Sequence, residues 1–110
     1  MNLPQADRIR VDRSKITEYL LNLSHPDGAG KARFFFRFGF SVNDPDVLVN
    51  ALRKHGSDNA VSRMVETHFG WRYTVDGVLE TPDGRNPMIR TVWIMEEEGD
   101  APRLITAYPV

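Results

Sequence analysis

The stretch Ser24 to Lys31, SHPDGAGK, sets a histidine, two glycines and a lysine immediately ahead of three consecutive phenylalanines. A histidine at an element boundary can take or give a proton near neutral pH. Glycines beside it let backbone amides come close to an anion where the following helix begins. The same residues equally suit a solvated turn between two helices, so His25 and Lys31 are candidates rather than a motif. His55 and His68 read as partners of a helix end and a strand end. The three histidines stand about 30 and 13 residues apart, which is no metal-ligand spacing. No P-loop, dinucleotide fingerprint, HExxH or GxSxG occurs, so neither a metal nor a cofactor is expected.

A second group of polar residues lies near the C-terminus. In PMIRTVWIM, alternation puts Met88, Arg90, Val92 and Ile94 on one face and Ile89, Thr91, Trp93 and Met95 on the other. In RLITAYP it puts Leu104, Thr106 and Tyr108 together and leaves Arg103, Ile105 and Ala107 opposite. A strand face that mixes Thr, Tyr and Arg can hold a phosphate and its leaving oxygen. Cross-strand packing with peripheral charges accounts for the same pattern.

The elements that must position these residues follow from periodicity. Residues 1 to 12 read as an extended arm. Ser14 can cap a first helix whose Ile16, Tyr19, Leu20 and Leu23 form one buried stripe, and Pro26 with its glycines ends it. KARFFFRF is read as a second helix stopped at Gly39, its phenylalanines filling the core rather than stacking on bases. A third helix has Asp44 as cap, Pro45 at its first position, Val47, Leu48, Ala51 and Leu52 inward, and Gly56 as a left-handed stop. After Asn59 the period drops to two. Strands are expected around Trp71 to Val75, over Met88 to Met95 and in RLITAYP, with a further one over Met64 to Phe69 and a turn at Thr81 to Arg85. The expectation is a single domain over residues 1–110, of α+β class, with N-terminal helices packed on one face of a three- to four-stranded antiparallel sheet.

Composition narrows the options further. With 110 residues, 41% hydrophobic and 26% charged, the chain matches an ordinary globular domain with one core. No apolar run is long enough for a membrane span or signal peptide, and the absence of cysteine excludes disulfides and a thiol nucleophile. A cytoplasmic setting fits both, with no membrane partner. The net charge of -1 conceals an asymmetry: residues 1–40 carry seven Lys/Arg against four acids, and the remainder seven against eleven. Such an N-terminal bias allows a local basic surface, as would a solvated helix face.

Taken in order, LPQADRIRVDRSKITEYLLNLSHPDGAGKARFF resembles the opening of a small bacterial domain of unknown function that occurs alone and as a toxin tail. GWRYTVDGVLETPDGRNPMIRTVWIMEEEGDAPRLITAYPV resembles that family's ending. The layout is similar to the ribonuclease toxins grouped around barnase, EndoU, the tRNA-cutting colicins and RelE. The resemblance implies a metal-independent endoribonuclease, RNA (including tRNA) as substrate, and a cognate antitoxin or immunity protein as partner. It implies His25 as base or acid, Lys31 and Arg103 on the phosphate, and Thr106 and Tyr108 positioning or donating a proton. Arg90, Trp93 and Arg33 are the expected substrate contacts. The alternative is a non-catalytic binding module of immunity, inhibitor or assembly type, which suits the acidic C-terminal half.

Overall fold

A computed structural model describes residues 1–110. The N-terminal arm is not free. Leu3 and Ile9 are buried on either side of a 3-10 turn at Ala6–Arg8. Its ends are tied to opposite edges of a sheet: Val61 N donates to Met1 O at 2.7 Å, and Arg10 bridges Arg103 in parallel.

Helix α1 starts as an α-turn at Arg13–Lys15, one residue before the expected Ser14 cap, and continues as a π-turn over Ile16–Leu20. Leu21 N reaches back to Ile16 O at 2.8 Å, an i→i+5 bond. The wider turn buries Ile16, Leu20 and Leu21 and rotates Leu23 into solvent, where it is 56% exposed. Tyr19 swings from the expected core stripe to the margin, half-buried.

Helix α2 spans Ala29–Arg37, and Gly39 beyond it has φ 99°. Phe40 N then closes on Phe35 O at 3.3 Å, the arrangement that ends a helix at a left-handed glycine. Phe35 is fully buried; Phe34, Phe36 and Phe38 pack against the same core, as expected of a helical face.

Helix α3 spans Pro45–Asp58 and runs straight through Gly56, which is not a stop. Gly56 is required for another reason: a Cβ there would stand 2.5 Å from Trp93 Cζ2 and 3.1 Å from Ile9 Cδ1. Asp44 occupies the cap position but makes no side-chain hydrogen bond.

The second half forms strands β1 (Val61–Thr67), β2 (Gly70–Val78), β3 (Met88–Met95) and β4 (Arg103–Pro109) in one antiparallel meander, β1-β2-β3-β4. The helices cover one face. Tyr73, Val75, Ile89, Trp93, Leu104 and Ala107 from the sheet join Ile16, Leu20, Phe35, Leu48 and Leu52 in the core. The other face carries no covering element.

One expectation about faces is overturned. Val92 pairs with Thr106 but Trp93 pairs with Leu104, so Ile105 is an extra residue in a β-bulge. The bulge flips the alternation: Leu104 and Ala107 turn inward, while Arg103, Thr106 and Tyr108 share the open face, opposite Ile94, Val92 and Arg90.

A chain of hydrogen bonds crosses the core. Trp93 Nε1 donates to Thr91 Oγ1 at 2.8 Å, Thr91 Oγ1 meets His55 Nδ1 at 3.0 Å, and His55 Nε2 meets Gly77 O at 3.1 Å. One assignment satisfies every group: Thr91 donates to Nδ1 and His55 donates from Nε2. His55 lies in the last turn of α3, as expected of a helix-end partner, and is only 2% exposed. Burial holds it below the usual histidine range, against weaker opposing contributions from neighbouring backbone and Asp76.

Two predictions follow from this core. Gly56→Ala adds helix propensity of up to about 1 kcal/mol, but overpacking against a buried indole costs about 1–3 kcal/mol. The urea midpoint should therefore fall; a rise would mean Trp93 can yield. For His55, the unfolded chain binds a proton that the folded chain resists. Its contribution is complete above the ordinary value of 6.5 and is lost as pH drops below it. Urea midpoints measured between pH 7.5 and 5 should decline, and His55→Gln, which does not titrate, should flatten that decline.

Candidate functional site

The bulged edge strand β4 meets α1 where Tyr19 Oη lies 3.0 Å from Thr106 Oγ1. Three charged or polar groups gather on that tyrosine. Lys15 Nζ and Lys31 Nζ stand 5.3 and 5.4 Å from its ring centroid, and the His25 ring meets it edge-on at 4.9 Å. Ser14, Lys15, Glu18, Tyr19, His25, Asp27, Ile105 and Thr106 line an open cleft of about 490 Å³.

The loop Ser24–Gly28 is held by its histidine. The amides of Asp27 and Gly28 both donate to His25 Nδ1 at 3.0 Å. The Asp27 and Gly28 amides are thus committed to the histidine and not open to an anion. The same two bonds also fix the ring's chemistry. An Nδ1 that accepts two N–H groups carries no proton, so the imidazole proton sits on Nε2. His25 is therefore a hydrogen-bond donor and turn cap, not a base poised at Nε2. Gly28 is glycine because a Cβ would lie 2.9 Å from Tyr19 Cδ1.

Neither lysine of the cleft lies in an ion pair. Every ion pair is elsewhere: Arg13–Asp46, Lys54–Asp58, Arg85–Asp83, Arg90–Asp76 and Arg103–Glu96. Lys31 Nζ only touches the backbone carbonyl of Asp27 at 3.3 Å. Two ammonium groups thus flank one ring without being paired to Glu18 or Asp27 of the same cleft, which leaves their N–H donors open to an anion.

A second cleft, about 480 Å³, opens on the uncovered sheet face between Arg63, Arg72, Asp76, Arg90, Thr106 and Tyr108. Here Arg90 does not stand among apolar residues alone. Its Nε and Nη2 donate to Asp76 at 2.7 and 3.0 Å, a bidentate pair. Hydrogen bonding from Arg90 lowers the Asp76 pKa, and Asp76, then Tyr108, raise that of Arg90. The guanidinium is thus largely committed before any ligand arrives.

The eight expected site residues divide accordingly. His25, Lys31 and Thr106 come together. Tyr108 and Arg90 line the neighbouring cleft, joined to the first through Ile105 and Thr106. Arg103 is on the open face, paired with Glu96 at 2.5 Å, and lines neither of these two clefts. Arg33 sits on the solvent side of α2 and lines neither cleft. Trp93 is a correction: with 0% exposure and its Nε1 on Thr91, it is core and cannot touch a substrate. Lys15 and Tyr19 were missed. Their i, i+4 spacing signals a shared helix face, but the apolar stripe claimed Tyr19 for the core.

Comparison with known proteins places the chain. It belongs to the family described as Domain of unknown function (DUF6883), whose profile matches residues 2–110. No curated protein matches it. Among solved structures, one chain of a contact-dependent growth inhibition toxin–immunity protein complex from Klebsiella pneumoniae 342 has a similar fold, with TM-score 0.70. The match covers 94% of this chain and 95% of that one at 18% identity, a likeness of fold.

The tautomer of His25 is directly measurable. Long-range proton–nitrogen correlation spectra at neutral pH should show His25 protonated at Nε2 with an unprotonated Nδ1. A signal for Nδ1–H would contradict the capping geometry.

Proposed function

We propose that this chain is a metal-independent ribonuclease of toxin type, with tRNA among its substrates, acting in the cytoplasm and restrained by a cognate antitoxin or immunity protein. The observation that carries the reading is the pair of unpaired lysines around Tyr19, whose hydroxyl meets Thr106 beside the donor face of His25. A toxin–immunity complex as the source of a fold neighbour supports the partner.

The chemistry is transesterification. The 2′-oxygen bonds to phosphorus and the P–O5′ bond breaks, leaving a 2′,3′-cyclic phosphate and a free 5′-hydroxyl. Lys15 and Lys31 offset the charge that grows on the non-bridging oxygens, and His25 Nε2–H donates to the same oxygens. The 2′-hydroxyl proton passes to a carboxylate of the cleft, Glu18 or Asp27. Tyr19, steadied by Thr106, gives its proton to the departing 5′-oxygen, and the transient phenolate is sheltered by the two ammonium charges. Tyr108, Arg90 and Arg103 then belong to the path along which the strand lies rather than to the reacting atoms. Arg33 and Trp93 take no part.

A non-catalytic binding module is favoured by one observation, the uncovered sheet face with exposed Val78 and Met88 at one end.

Purified protein incubated with total RNA and a tRNA pool in the absence of added metal should yield discrete fragments with cyclic phosphate ends. Lys31→Ala and Tyr19→Phe should each slow cleavage by roughly 100-fold. His25→Asn, which can still cap the loop through its amide oxygen, should lose activity while keeping its fold. Intact RNA at micromolar wild-type protein would sink the enzyme reading in favour of the binding module.

A further inference from the structure

We propose that the tip of the β1–β2 hairpin and the adjoining open sheet form a nucleobase-binding subsite for single-stranded RNA, next to the cleft at Tyr19. The inference rests on the ribonuclease reading and names how its substrate would be gripped away from the reacting phosphate.

Phe69 is the most exposed large apolar side chain of the protein, at 80%. The turn that carries it is held by hydrogen bonds. Thr67 Oγ1 accepts from Phe69 N at 3.1 Å and donates to Gly70 O at 2.8 Å, so the two-residue tip is fastened to its own strands. A solvent-facing turn gains nothing from a phenyl ring. A lone exposed aromatic is unremarkable by itself, but this one does not stand alone.

Thr67, Phe69, Arg72, Ile94, Arg103 and Ile105 enclose a hollow of about 470 Å³. Its floor is apolar, with Ile94 from β3 beside Ile105 from the bulge. Its walls are two guanidinium groups and an aromatic plane. Arg72 is in no ion pair, and Arg103 is held by Glu96 at 2.5 Å, which orients its fork. Base stacking needs a π-face and an adjacent cation for the phosphate, and it tolerates any sequence because every base has such a face. That set is present here.

Continuity with the reaction cleft selects RNA over other occupants. Ile105, pushed out of the strand register by the bulge, lines this hollow, the Arg90–Tyr108 cleft and the Tyr19–His25 cleft alike. A strand whose phosphate sits between Lys15 and Lys31 can therefore run past Thr106 and lay a neighbouring base against Phe69. The only acids among these three linings are Asp76, which Arg90 neutralises, and Glu18 and Asp27 beside the lysines.

The test compares a 12-nucleotide single-stranded RNA with a dinucleoside phosphate as substrates, and measures binding of the 12-mer by fluorescence anisotropy at low salt. Phe69→Ala and Arg72→Ala should each weaken 12-mer binding and raise its KM by about tenfold. Both should leave kcat and dinucleotide cleavage unchanged, and Phe69→Trp should restore binding. Lys31→Ala should impair both substrates. Wild-type cleavage with no response to Phe69 or Arg72 would overturn the subsite and leave the enzyme reading intact. Binding sensitive to Phe69 without any cleavage would support the subsite and overturn catalysis. Absence of 12-mer binding by the wild type would overturn the subsite and point to a protein partner for this face.

Discussion

The indole of Trp93, donating to Thr91 and through it to His55, is the contact on which the arrangement of helices and sheet depends. It joins β3 to α3 at full burial, and His55 carries the link on to Gly77 of β2. Every donor in this chain has an acceptor, and no buried side-chain nitrogen or oxygen is left without a partner. Such a network stabilises only when complete, since each buried polar group that loses its partner costs about 1–3 kcal/mol. It therefore fixes the angle and depth at which α3 meets the sheet. The bare Cα of Gly56 over Trp93 is the steric side of the same constraint. With α3 seated, α1 and α2 have one remaining place, against the β4 end of the helical layer, and there the cleft forms.

That cleft owes its existence to two irregularities rather than to regular structure. In an unbroken α-helix Tyr19 would join Ile16 and Leu20 in the core; the π-turn sets it at the margin instead. In an unbroken strand, Thr106 would share a face with Leu104, which is buried; the bulge at Ile105 turns it outward. Each slip is one residue, and the two side chains that they release meet at 3.0 Å. Bulges and π-turns disturb ladder hydrogen bonds, and they recur where a side chain must be re-aimed. The cost of each is borne by the regular packing that surrounds it.

These slips also mark the limit of what the sequence discloses. The helix–helix–helix–strand order, the bounds of β3 and β4, the stop at Gly39 and the turn at Thr81 to Arg85 are all legible, because periodicity and turn chemistry are local. Leu23, Gly56, the burial of His55 and the face of Thr106 are not. A helix that widens by one residue still shows an apolar stripe, and a strand that bulges still alternates. Gly56 has the chemistry of a helix stop and becomes a mid-helix contact only once Trp93 lies above it. His25 and Lys31 were visible as chemistry, but the tautomer that decides the histidine's role depends on two amides that only the folded loop brings to Nδ1.

The uneven use of basic residues separates the local charge from the net charge of -1. Arg90 and Arg103 are each tied to a carboxylate, and they lie on a face whose Val92 and Ile94 are 8% and 5% exposed despite having no element above them. Long arginine stems cover such apolar ground while their heads stay wet, so part of the open face is shielded by its own charged residues. Lys15 and Lys31 have no such duty and no carboxylate partner. The field of the whole protein is weak, whereas the field at Tyr19 comes from two ammonium groups about 5 Å from its ring and from Glu18 and Asp27 in the same cleft. Screening removes the first at a Debye length of about 8 Å but leaves most of the second. The electrostatics of this cleft are therefore short-range, decided by the seating of α1 against β4 and not by overall charge.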